Sequence, residues 1–353
     1  MEPILSPRST LSLGVCALAT AALASAQSAP PRYTAEFLGE AIGAAAMNGA
    51  AEVVGTVTSP ATRAFVAGPG LPMRLLPLPP GRISSVANDI NENGAIAGAV
   101  SSSTSPDFGP MAAVWIPDPL GGYVVVELGV LSGDIGSQAT ALNDVGDIVG
   151  WSKDGMFRYP VLFGHPARAD RALAIHDLSA TGIFDPSSIN NQRVLVDNSF
   201  TVKRLDLNTM TVTDLGVPTG LPQNYMATRS SAINELNQVS GQAILATSTS
   251  CDRQAARFTD GVGWEIFSGC GPYNGAVDLN DLGDVVMQLN LYPYVRFEGL
   301  GTFRIEDLID ESGGHWYVIN GYGLAINNAR QIVVPAHNLA TSQAGLILLT
   351  PMR

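Results

Sequence analysis

The chain has 353 residues with 31 acidic and 19 basic side chains, a formal charge of −12. So acidic a surface repels phosphate backbones, and no basic run or aromatic-basic stripe offsets it, which excludes nucleic acid as a partner. Only 14% of residues are charged, against 37 glycines and 23 prolines, so there is little material for long solvated helices and much for turns: an all-β composition.

Residues 1–26 read as a secretory signal peptide: Arg8, the apolar run LSLGVCALATAALA, then Ala24-Ser25-Ala26 as a small-residue cleavage site. That run is too short for a membrane anchor, which needs ~20 apolar residues. Val15 stands before Cys16 where a lipidation site wants a small residue, so no lipid anchor is expected. Residues 27–32 form a short linker. No other apolar run reaches spanning length, so the mature chain is expected to be an exported monomer, extracellular or periplasmic, without an integral membrane span.

From there one pattern recurs. Aligned on one asparagine, the copies fall at Asn48, Asn91, Asn143, Asn190, Asn234, Asn280 and Asn327, spaced by 43, 52, 47, 44, 46 and 47 residues. A period in the forties indicates propeller blades or a solenoid. An apolar residue precedes the asparagine in most copies, as in Ile90, Leu142, Ile233, Leu279 and Ile326. The asparagine can bond its own backbone two residues on. Three residues later stands Gly94, Gly146, Asn237 or Gly283, types that tolerate positive φ. This is the chemistry of a type I turn closed by a glycine bulge, and it gives the asparagines a structural role. In the fourth copy Val194 falls one residue early, which predicts a tighter turn.

Two further strands follow in most copies. The third is short and apolar-aromatic (RAFVA at 63–67, AAVWI at 112–116, PVLFG at 160–164, AARFT at 255–259, YVRFE at 294–298). The fourth tends to end in Leu-Gly or similar (YVVVELG at 123–129, LAIHDLS at 173–179, TVTDLG at 211–216, RIEDLI at 304–309). Four antiparallel strands make one propeller blade, which buries its two faces only against neighbours. The last copy supplies LAIN, QIVVP and AGLILL but no fourth strand, while YTAEFLG at 33–39 is a lone segment of fourth-strand type. Pairing the two predicts a single domain over 33–353, a seven-bladed β-propeller closed by its N-terminal strand. A helix over AEFLGEAIGAAAM is the competing reading, weakened by Gly39 and Gly43.

The unit A-I-N-x-x-G-x-I-V-G, with its short aromatic strand and Leu-Gly ending, resembles the HAF-type extracellular repeat family over about 33–353, most closely in copies two, three, five and six. That family usually opens its third strand with His-Ala; here the slot holds Arg63-Ala64, Met111-Ala112 or Tyr159-Pro160. The resemblance implies export and a repeat fold, and brings no reaction.

Cys251 and Cys270 are the cysteines left after processing, and in an exported protein they predict a disulfide. A two-residue turn at Asp260-Gly261 would set them opposite each other, at the ~4.5–5.5 Å Cα spacing of paired strands. The stretch DINENG at 89–94 matches the opening of a calcium loop, but the twelfth position is Val100, so no calcium is expected there. The acidic run Glu306, Asp307, Asp310 and Glu311 reads as a solvated strand end, with weak calcium binding as the alternative. His165, His176, His315 and His337 lack zinc-ligand spacing. No G-x-S-x-G, P-loop or dinucleotide fingerprint occurs. Loops joining second and third strands lie opposite the asparagine turns and vary, the usual place for function on a rigid scaffold. They offer Trp151, Asp154, Arg158, Tyr292 and Tyr294 as candidate ligand contacts. The reading is a non-catalytic binding or surface-interaction module for an extracellular glycan or protein surface, without a cofactor. The alternative is a glycan-active hydrolase or lyase whose carboxylates converge from different blades.

Overall fold

The computed structural model describes residues 30–352, apart from 42, 59–60, 105–108, 165–173, 247–250, 311–314 and 320–322. The leader at 1–26, residues 27–29 of the linker, His165 and Glu311 lie outside the described residues. Seven antiparallel sheets form the blades of a β-propeller, six of them with four consecutive strands. In the seventh, Tyr33–Gly39 is the outer strand and pairs antiparallel with Ala344–Pro351, from Tyr33 opposite Pro351 onward. The competing helix is absent: 33–39 and 44–47 are both strands. Blades are numbered here by the order of their asparagines.

Each blade is apolar on both faces, and the seven hydrophobic clusters each draw side chains from adjoining blades. Between blades 1 and 2, for example, Val54, Val66 and Leu76 meet Ile96, Val100 and Trp115. The Trp115 indole is fully buried and donates its Nε1–H to the Pro77 carbonyl at 2.8 Å, so its one polar atom is satisfied. Burial of each such aliphatic or aromatic side chain stabilises by ~1.5–3 kcal/mol, and no blade can supply that alone.

The asparagine turns are alike in all seven copies. The N–H three residues on donates back to the asparagine carbonyl, at 3.0–3.3 Å. That third residue has positive φ in every case, including Ala51 (60°), Arg193 (67°) and Arg330 (60°) where glycine is missing. The fourth copy is therefore not tighter. Asn190 N–H reaches the Val194 carbonyl at 3.1 Å, as Asn143 N–H reaches Asp147 at 3.1 Å. Arg193 takes the left-handed position, and Val194 fills the slot Asp147 holds in blade 3.

The first strands bulge just before the asparagine, for instance between Ala139 and Ala141 and between Ser230 and Ala232. The bulge brings backbone against the second strand. A Cβ on Gly150 would lie 2.0 Å from the Gln138 carbonyl oxygen, and one on Gly241 1.8 Å from that of Arg229. That close approach is why several copies of the repeat carry a glycine there.

Other departures are local. The fourth strand of blade 6 is Gly301–Arg304, and Ile305–Leu308 form a 3₁₀ turn that buries Ile305 and Leu308 rather than a solvated strand end. Its two apolar side chains are what pull the acidic run out of extended form. The innermost edge of blade 7 is shared by Trp316–Val318 and Ala325–Ile326, which pair with different halves of one strand. Cys251 and Cys270 are bonded, with Cα atoms 5.1 Å apart. The hairpin between them pairs Thr259 with Gly263, so its loop is Asp260-Gly261-Val262, one residue longer than a two-residue turn. Gly261 (77°) and Gly263 (90°) both adopt positive φ, which accommodates that extra residue.

Candidate functional site

The first strands of all seven blades surround a pocket of about 510 Å³ that opens on the face of the asparagine turns. Among the described residues its lining contains no lysine, arginine or histidine. The pocket is built in tiers, each using one position of the repeat.

The asparagines form the first tier. Each side-chain Nδ2–H donates to the backbone carbonyl of the next blade's asparagine: Asn48 to Asn91 (3.2 Å), Asn91 to Asn143 (3.0 Å), Asn143 to Asn190 (2.9 Å) and Asn190 to Asn234 (3.0 Å). Asn234 donates to Asn280 (2.9 Å), Asn280 to Asn327 (3.1 Å), and Asn327 back to Asn48 (3.3 Å). The side-chain oxygen meanwhile accepts the N–H four residues on in every copy, at 2.8–3.0 Å. One buried amide thus shapes its own turn and ties it to the next. An aspartate could do only the first.

The residue after each asparagine forms the lip: Gly49, Glu92, Asp144, Asn191, Glu235, Asp281 and Asn328. Here side chain and backbone exchange roles, and six of the seven backbone N–H groups donate to the side-chain oxygen of the next blade's lip residue. The links are Gly49 to Glu92 (2.9 Å), Glu92 to Asp144 (2.8 Å), Asp144 to Asn191 (2.7 Å), Asn191 to Glu235 (2.9 Å), Glu235 to Asp281 (2.8 Å) and Asp281 to Asn328 (2.8 Å). Asn191 and Asn328 also donate Nδ2–H to Asp144 (2.6 Å) and Asp281 (2.7 Å). Four carboxylates therefore stand fixed around the opening. Desolvation pushes the Glu235 carboxyl up, against the Asn191 N–H that draws it down.

Two more carboxyls lie deeper, two residues before their asparagines. Asp89 accepts the Leu142 N–H of blade 3 (3.0 Å) and the Ile90 N–H (2.9 Å). Asp278 accepts the Ile326 N–H of blade 7 (2.9 Å) and the Leu279 N–H (2.8 Å). Enclosure by the ring raises Asp89 to about 7, the two N–H bonds oppose the rise, and the charges of Asp278 and Asp144 add to it. Asp278 is raised to about 6, again by desolvation. Both side chains still face the pocket.

One further residue back, the wall divides. Asn88 donates to the Ala139 carbonyl (2.7 Å), Thr140 to that of Pro186 (2.7 Å) and Ser231 to that of Ala276 (2.9 Å), while Ser187 pairs with the Ser230 hydroxyl (2.8 Å). The same position in blades 6, 7 and 1 is Val277, Leu324 and Ala45. The pocket has a polar arc over blades 2–5 and an apolar arc over the rest. Among the described residues no group of three or more His, Cys, Asp or Glu side chains is placed to hold a metal ion.

The candidates on the opposite face fall into two groups on separate blades rather than into one site. Trp151, Asp154 and Arg158 belong to blade 3, and Tyr292 and Tyr294 to blade 6. Trp151 is 4% exposed, with the Arg158 guanidinium 4.2 Å and the Lys153 ammonium 5.7 Å from its ring centre. Asp154 holds its own loop, accepting the Met156 and Phe157 N–H groups (both 2.9 Å) and the Tyr159 hydroxyl (2.8 Å). These bonds keep its carboxyl below the usual aspartate range. Tyr292 lies under the Arg304 guanidinium at 4.6 Å, and Tyr294 packs against the core between blades 5 and 6. The pocket acids were legible only by comparing the positions just before and after each asparagine across the repeat.

No protein-family model matches the sequence, and no curated protein sequence does. Solved structures match in shape. A virginiamycin B lyase from Staphylococcus aureus is 11% identical with a TM-score of 0.51, over 92% of this chain and 100% of that one. YCF48 bound to a D1 peptide is 9% identical with a TM-score of 0.56, over 92% of this chain and 97% of that one. Similarity at these identities is similarity of fold, and what the chain shares with both proteins is the β-propeller.

Proposed function

We propose that the protein is an exported, non-catalytic binding module that takes a cationic organic ligand, a protonated amine, into the pocket on the asparagine face. The observation that carries this reading is the pocket itself: about 510 Å³, with six carboxyl groups on its wall and lip and, among the described residues, no basic lining residue. The lip carboxylates are held by backbone N–H groups of the neighbouring blade, so they are preorganised and keep free lone pairs toward the opening. An acidic mouth with low-dielectric walls concentrates cations and speeds their entry. The apolar arc of Ala45, Val277 and Leu324 suits a short aliphatic body. Export is supported by the leader-like residues 1–26 and by the resemblance of the repeat to HAF-type extracellular proteins.

Calorimetric titration of the full chain with 1,3-diaminopropane at low salt is expected to show saturable binding that weakens as salt rises. The neutral analogue 1,3-propanediol is expected not to bind. Equal binding of the two, or none of the diamine, would sink the reading.

A second reading, turnover of a glycan, is favoured by one observation. Asp89 and Asp278 face the same pocket with pKa values near neutrality, as a carboxyl proton donor requires. Product release from a polysaccharide panel that disappears in both Asp89→Asn and Asp278→Asn would favour it over binding alone.

A further inference from the structure

The lip of the pocket is a ring of N–H to side-chain bonds with one link missing. Six of the seven lip residues supply a side-chain oxygen to the preceding blade. The seventh, Gly49, has no side chain, and among the described residues nothing accepts the N–H of Asn328, which is open to solvent at the pocket edge. The neighbouring tier is intact at this same junction, where Asn327 reaches the Asn48 carbonyl, so the blades themselves meet as elsewhere. The break is confined to one oxygen atom's worth of missing structure. Glu92 closes over the other side of Gly49, accepting its N–H with both oxygens at 2.9 and 3.0 Å. A Cβ at position 49 would stand 2.7 Å from Glu92 Oε2.

We infer that the gap between blades 7 and 1 is a subsite for an uncharged oxygen of the ligand, a hydroxyl carried on the same amine-bearing molecule. This rests on the pocket being the binding site for a cation. The surrounding chemistry selects the group. An anionic oxygen would meet Glu92 and Asp281 on either side, and an ammonium cannot accept from Asn328. A hydroxyl accepts the Asn328 N–H and donates its own proton to the Glu92 carboxylate. Solvent displaced from that donor costs little when its hydrogen bonds are reproduced by the hydroxyl. The repeat gives independent support, because at six equivalent junctions an oxygen already occupies this place. The ligand class is thus a hydroxylated amine rather than a plain alkylamine.

The test uses the full chain and two amines of the same skeleton, 1,3-diamino-2-propanol and 1,3-diaminopropane. The hydroxyl is expected to tighten binding to the natural sequence by about fivefold, the effect of one modest hydrogen bond. In Gly49→Asn the introduced amide oxygen takes the Asn328 N–H, and the advantage is expected to vanish while diaminopropane still binds. The Cβ of that variant also meets the Glu92 carboxylate, which must turn aside, so diaminopropane affinity in the variant is the control for any change at the lip. A readout without mutation is the amide resonance of Asn328, expected to shift with the amino alcohol and much less with the diamine. If both amines bind the natural sequence equally, or the advantage persists in Gly49→Asn, the subsite is wrong and the cationic pocket stands. If neither amine binds, both ideas fall.

Discussion

The side-chain amide of Asn327 donates to the backbone carbonyl of Asn48, 279 residues away in the chain. Six like bonds run between consecutive asparagines, so this one turns a row into a circle.

Replacing that donor is expected to weaken the whole protein. In Asn327→Asp the side chain can still accept the Gln331 N–H, which Asn327 now takes at 3.0 Å, but it has nothing to donate to Asn48. The loss is expected to be ~1–3 kcal/mol in urea unfolding, because the Asn48 carbonyl keeps only the Ala51 N–H and now faces a carboxylate oxygen where a donor stood. Asn327→Ala, which forfeits both roles, is expected to cost more. An aspartate variant within 0.5 kcal/mol of the natural sequence, roughly the measurement error, would remove the ring's energetic role.

Arg330 and Asp284 make the second test. Asp284 is fully buried and receives Arg330 Nε at 2.8 Å and a second guanidinium nitrogen at 3.1 Å, across the junction of blades 6 and 7. Removing the arginine leaves a buried carboxylate short of its cation, so Arg330→Ala is expected to cost ~3 kcal/mol. Arg330 also holds φ at 60°, which glycine adopts without the ~1 kcal/mol burden of a Cβ. Arg330→Gly is therefore expected to be the milder variant in chemical denaturation. The opposite order would show that strain at this position is negligible.

The deep carboxyls give a pH dependence of definite sign. Folding raises Asp89 to about 7 and Asp278 to about 6, from 3.8. The native state therefore holds these protons more tightly than the unfolded chain, and their contribution to stability declines as pH climbs from about 4 to about 7. In the double variant Asp89→Asn with Asp278→Asn, that decline is expected to flatten, as read from denaturant midpoints between pH 4 and 8. Diamine affinity of the natural sequence runs the other way, rising over the upper part of this range as the carboxyls ionise. Parallel stability profiles for variant and natural chain would contradict the assignment.

The disulfide anchors the outer end of blade 5. Opening it in Cys251→Ser is expected to cost about 3 kcal/mol on a chain-entropy argument for a bridge across 19 residues. Thermal unfolding with and without reductant checks this, since reductant should lower the midpoint of the natural chain and leave the variant unchanged.

What could be read in advance was local chemistry repeated often. The turn at each asparagine, the period and the unfilled edge in the last copy all depend on residues within a few positions of one another, and repetition made them visible. Register was harder. Val262 adds one residue to the hairpin loop, and nothing short of the paired strands reveals that. The apolar Val194 suggests an early strand start, whereas the turn is set by hydrogen bonds to Asn190. The pocket lay hidden for a different reason. Its walls come from residues some 45 positions apart whose identities differ from copy to copy, such as Glu92, Asp144 and Asn191. Only the ring, by setting equivalent positions side by side, gives those differences a common address.

The strand Tyr33–Gly39 belongs to the blade that is otherwise the last to be synthesised. Of the blade strands it is made first, and it must wait for Ala344–Pro351. Until then both rims of the growing array offer unpaired backbone to any passing strand. Maturation thus ends in a single late clasp, and a chain lacking Ala344–Pro351 leaves Tyr33–Gly39 and Ile332–Asn338 each without the strand that joins them.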